Sequence, residues 1–138
     1  MKSRIFEFLE HTSDLFVRIY ADSVESLIRN CVYTFPRLVL DHPDGITDFT
    51  RSLDLKGDTP EEMVLDLFSE LIVVLDSENV LISNLDSLSG SMDDGFTAIL
   101  SGFHLKGDEE YSNVIKAATR HELRYYEEDG FLTVLFDL

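Results

Sequence analysis

The sequence predicts an α+β fold: a single domain with a largely antiparallel or mixed β-sheet and two principal helices packed on it. Three observations carry this. Two stretches repeat their apolar residues at helical spacing. The other apolar runs are short or alternate with polar residues, as strands do. Those strands also come in runs, not one after each helix, which disfavours a doubly wound parallel sheet. With 138 residues, 44% of them hydrophobic, residues 1–138 suffice for one core and leave little room for a second.

Residues 4–10 and 15–21 read as the first two strands. A helix then starts near Asp22 or Ser23, with Glu25 three residues after Asp22 in a capping arrangement. Val24, Leu27, Ile28, Cys31, Val32 and Phe35 form its apolar stripe. Pro36 lacks an N–H and crowds the Val32 carbonyl, which predicts a kink or stop, although residues 38–40 could continue as a further turn. Residues 47–55 read as a strand. Thr59 caps the second helix, Pro60 suits its first position and Glu62 lies three residues after the cap. Met63, Val64, Leu67, Phe68, Leu71, Ile72 and Leu75 follow at helical spacing. Strands are expected at 80–85, 95–105, 114–126 and 131–138. A Ser/Asp/Gly loop is expected over 87–95, and Asp129-Gly130 marks a hairpin turn.

Charge is the loudest compositional feature. Asp and Glu total 27 against 11 Lys and Arg, a formal balance of −16. Such a surface repels phosphate backbones, so stable direct nucleic-acid binding is not expected and a protein partner is the more natural target. A lone cysteine, Cys31, excludes an intramolecular disulfide and falls on a buried stripe. No leader-like segment or membrane span is evident, and a cytoplasmic, soluble chain is the expectation. The phosphate-binding, dinucleotide, zinc and nucleophile-elbow motifs are all absent, so any chemistry would rest on carboxylates and a histidine.

Three places could carry function. Glu10-His11-Thr12-Ser13-Asp14 is a polar run between two hydrophobic strands, or simply an ordinary turn. At the other end, Leu132, Val134, Phe136 and Leu138 alternate with Thr133, Leu135 and Asp137, so Asp137 adjoins the α-carboxylate of Leu138. Two adjacent carboxylates repel unless a cation sits between them, and Asp14 at a neighbouring strand end would supply a third. Hard oxygen donors of this kind suit Ca²⁺, Mg²⁺ or Mn²⁺. The third place is residues 116–124. Period-two alternation would put Lys116, Arg120 and Arg124 on one face, with Thr119 and His121 on the other. A solvated strand whose cations offset nearby acids is the plainer reading there.

Taken together these segments resemble the archease family. The opening Phe6-Glu7-Phe8-Leu9-Glu10-His11-Thr12-Ser13-Asp14 is similar to the family's start, with Ser13 where Ala is usual. Lys116-Ala117-Ala118-Thr119-Arg120-His121-Glu122-Leu123 is similar to its K-A-x-T-x-H-x-L strand, with Arg120 where Tyr is frequent. Val134-Leu135-Phe136-Asp137-Leu138 resembles its ending, a terminal Asp and one aliphatic residue. Residues 69–78 are similar to its second helix and acidic exit, without the family's Trp. The resemblance implies a non-catalytic protein cofactor of RtcB-type tRNA-splicing RNA ligases. Such a cofactor promotes metal- and GTP-dependent guanylylation of the ligase, sustains turnover and can broaden nucleotide use. It further implies that Asp14, Asp137 and the Leu138 carboxylate bind a divalent ion, calcium in the family, with His11, Lys116 and His121 assisting activation. The residues themselves leave two alternatives: a stand-alone metal-dependent phosphohydrolase, and an acidic chaperone-like module for other nucleic-acid enzymes.

Overall fold

The computed structural model describes residues 4–10 and 14–138. The elements follow in the order β1 (Phe6–Leu9), β2 (Leu15–Tyr20), α1 (Val24–Val39), β3 (Phe49–Leu55), α2 (Pro60–Glu78), β4 (Val80–Ser91), β5 (Gly95–His104), β6 (Ala117–Tyr126) and β7 (Phe131–Asp137). The fold is α+β with antiparallel pairing throughout, and its strands divide between two sheets. One has four strands in the order β1-β2-β7-β6, the other three in the order β3-β5-β4. Each helix touches both sheets: α1 packs on β2 and β4, and α2 on β6, β4 and β3. One hydrophobic core therefore spans the described residues. Among them no helix is long and apolar enough to cross a membrane.

The helix α1 opens on a capping box made by Ser23 and Ser26 rather than Asp22 and Glu25. Ser23 Oγ accepts from the Ser26 N–H at 3.1 Å, and the Ser23 N–H donates to Ser26 Oγ at 3.0 Å. Pro36 does not stop the helix, which runs to Val39 with the Leu40 N–H donating to the Pro36 carbonyl at 3.0 Å. An interior proline costs about 3 kcal/mol. Leu38, Val39 and Leu40 are all buried, and full burial contributes about 1.5–3 kcal/mol for each such side chain. Packing of that last turn outweighs the proline. In α2, Thr59 caps as expected, accepting from the Glu62 N–H at 3.2 Å, and the whole predicted stripe is buried. Asn79 in the left-handed region (φ 57°) ends the helix, and its N–H donates to the Leu75 carbonyl.

The expected loop over 87–95 is instead strand for most of its length. β4 continues to Ser91 and pairs with β5, and residues 92–94 form the turn. Its outer half, Asp86 to Ser91, lies on a sheet edge where polar residues and Gly90 meet water. There the apolar alternation that marks a strand is missing.

Candidate functional site

The registers of the four-stranded sheet bring the two ends of the sequence pattern together. β2 and β7 are antiparallel, with Leu15 opposite Phe136. One step past that pair stand Asp14, just before β2, and Asp137, the last residue of β7, so both carboxylate residues occupy the same sheet end. β6 enters at this end too. Ala117 lies opposite Asp137, and the Lys116 N–H donates to the Asp137 carbonyl at 2.9 Å. Asp14 is half-buried, while Lys116, Asp137 and Leu138 are exposed.

Hydrophobic patterning sets this placement. Val17, Ile19, Leu132, Val134 and Phe136 are fully buried on the helix-facing side. A slip of one residue would turn all of them to the outer face, so the register that aligns Asp14 with Asp137 is tightly specified. Two aspartates share the sheet end, and carboxylate oxygens are donors that suit a hard cation. Among the described residues no three His, Cys, Asp or Glu side chains gather into a metal site. A cation here would rest on carboxylate oxygens, a donor set unlike a zinc centre's.

The remaining predicted positions fare differently. His11 lies outside the described residues. His121 does not share the sheet end: it falls in an irregular stretch of β6 between Thr119, opposite Leu135, and Arg124, opposite Thr133. Five steps along β6 match two along β7 there, so three residues are extra. An odd insertion reverses the alternation beyond it. Arg124 consequently shares the face of Thr119, and the expected common face for Lys116, Arg120 and Arg124 does not form. Arg120 pairs instead with Glu62 in the first turn of α2, and that carboxylate raises the guanidinium's pKa. Glu61 of the same turn accepts from the Tyr125 N–H at 3.0 Å, so α2 braces β6 inside the irregularity and just beyond it.

Glu122, inside this stretch, has φ 58°, a left-handed conformation uncommon for a non-glycine residue. Its carbonyl accepts from Thr133 Oγ1 at 2.8 Å, and Thr119 Oγ1 donates to the Leu135 carbonyl at 2.9 Å. Sequence reading missed this feature. Nothing in Arg120-His121-Glu122-Leu123 carries the Gly or Asn that would announce a positive φ.

Comparison with known proteins places this geometry in context. The model of the Archease protein family (MTH1598/TM1083) matches residues 6–138. A protein archease from Thermoplasma volcanium is 33% identical over 135 residues, covering 96% of this chain and 98% of its own length. Another from Thermoplasma acidophilum is 30% identical, covering 96% and 93%. The solution structure of Methanobacterium thermoautotrophicum protein 1598 superposes with a TM-score of 0.75 at 21% identity, covering 97% of this chain and 99% of that one. That likeness supports the fold.

Proposed function

Because this chain belongs to the archease family, we propose that it is a non-catalytic activator of an RtcB-type tRNA-splicing RNA ligase, promoting metal- and GTP-dependent guanylylation and multiple turnover. The observation that carries this reading is the register that sets Asp14 and Asp137 at one sheet end. Asp14, Asp137 and the Leu138 carboxylate would hold a divalent cation, with calcium favoured and magnesium or manganese chemically compatible. Such an ion supplies positive charge where phosphate oxygens must be neutralised.

The chain's own residues do the rest. A register locked by buried side chains keeps the two aspartates from drifting apart, so ligand geometry is set before any partner arrives. The Lys116 backbone ties β6 to the Asp137 backbone and fixes the last strand to its end. Lys116, His11 and His121 are proposed to assist activation of the ligase. A charge of −16 favours a basic face such as the rim of an RNA-binding cleft.

Guanylylation of purified ligase with wild type, Asp14→Ala and a C-terminally tagged chain tests the proposal. The tag converts the Leu138 carboxylate to an amide while leaving every side chain intact. Both variants should stay folded, lose calcium binding and lose most of the stimulation. Full stimulation by the tagged chain would remove the main-chain ligand, and no stimulation by wild type would remove the function.

A further inference from the structure

The outer face of the four-stranded sheet, opposite the helices, carries a groove of about 530 Å³ that the activator role leaves unused. Its floor is β7 and β2, and its far wall is the irregular stretch of β6 with the β6–β7 turn. Phe16, Tyr126 and Phe131 are the aromatic residues of its lining. Tyr20 meets Phe131 edge-on at 6.3 Å between centroids, and Tyr126 lies against Phe131 at 4.8 Å. Two guanidinium groups lie over these rings, Arg18 at 4.3 Å from the Phe131 centroid and Arg124 at 4.7 Å from that of Tyr126.

The two arginines differ in how they are held. Arg18 pairs with Glu7 at 3.0 Å, and Tyr20 donates to the same carboxylate at 2.5 Å. Arg18 Nε is buried without a hydrogen-bond partner. Arg124 is exposed, and among the described residues its guanidinium has the Tyr126 ring but no carboxylate. Asp129, exposed at the turn, also lines the groove.

We propose that this groove is a guanine-nucleotide site. Rings and guanidinium planes on the open face of an antiparallel sheet form a stacking platform for a flat base. A stacked arginine keeps its fork of N–H donors free in the plane, matched to a phosphate. The Asp129 side chain offers acceptor oxygens, so it selects a base edge rich in donors. Guanine presents N1–H and the 2-amino group side by side, whereas adenine offers one amino group next to an acceptor. Charge supports the location. Arg124 gives the lining a guanidinium that no carboxylate holds among the described residues, so a phosphate meets a positive group on a chain whose balance is −16. The same chemistry could arrive as a free nucleotide or as a guanosine in single-stranded RNA.

The experiment is a titration of the ¹⁵N-labelled full chain, without ligase, using GMP, AMP, inorganic phosphate and a short single-stranded RNA ending in guanosine. It is independent of ligase activation, so either reading can fail alone. GMP should shift the amides of Arg124, Tyr126, Asp129 and Phe131 and bind about tenfold tighter than AMP, within the range of one good base contact. Arg124→Ala should weaken GMP about tenfold, the effect of one charge-assisted contact, with no change in melting temperature. Asp129→Asn should erase the preference for GMP over AMP. An RNA that binds tighter than GMP would identify RNA as the source, and one that binds no tighter would identify the free nucleotide. Absence of shifts at millimolar GMP, equal binding of AMP by wild type, or the same shifts from phosphate alone would overturn the proposal.

Discussion

Glu7 shows how much a single side chain can gather. It receives Tyr20 and pairs with Arg18 and Arg4, tying β1 to β2. The Tyr20 hydrogen bond, helped by the Arg4 and Arg18 charges, holds its carboxyl below the ordinary value of 4.5. A folded-state pKa below the unfolded one contributes stability that is present above about pH 4.5 and lost as pH falls through the lower folded value. Thermal melts of wild type and Glu7→Gln should therefore differ most near neutrality and converge in acid. A constant gap across the titration would sever the link to ionisation. At Cys31 the direction is opposite: complete burial pushes the thiol up, so it stays protonated in the native state. It is a packed core residue, as its place on the α1 stripe foretold.

Among the elements, the pairing of β4 with β5 has the tightest tolerance. A Cβ on Gly102 would come 2.1 Å from the Leu81 carbonyl oxygen and 2.7 Å from the Ile82 Cα, both backbone atoms of the neighbouring strand. No side-chain rotation can relieve that, and β4 is already irregular between Ile82 and Asn84. Gly102→Ala should destabilise the fold by about 2 kcal/mol or more, the scale of an overpacked interior, measured by urea unfolding. A loss below about 0.5 kcal/mol, the range of an ordinary surface change, would mean the strands separate easily. The ion pairs of Arg51 with Glu70 and Glu78 link β3 to α2 but are partly exposed. Exposed pairs typically contribute under about 1 kcal/mol each, so backbone fit dominates at this scale.

For the whole molecule, charge is the governing property. With a balance of −16, docking onto a basic partner should be driven by long-range attraction, which acts on the association rate. Raising salt from about 0.05 to about 0.5 M shortens the screening length severalfold. The on-rate for the proposed ligase should then fall by roughly an order of magnitude while the off-rate changes little. A salt-independent on-rate in stopped-flow measurements would show that acidity serves solubility rather than docking.

Local patterning along the chain was enough for the two helices, their buried stripes, most strands and the two aspartates Asp14 and Asp137. Local chemistry signals each of these: Thr59 caps, Pro60 starts a helix, and alternation in residues 132–138 marks a strand. Tertiary structure alone decided that the strands split into two sheets, that Pro36 sits inside a helix, and that three extra residues interrupt β6. Those outcomes depend on burial against distant partners, which no window of neighbouring residues records. The outer groove belongs to the same class. Arg18, Arg124, Tyr126 and Phe131 come from three strands, and pairing across the sheet makes them one surface.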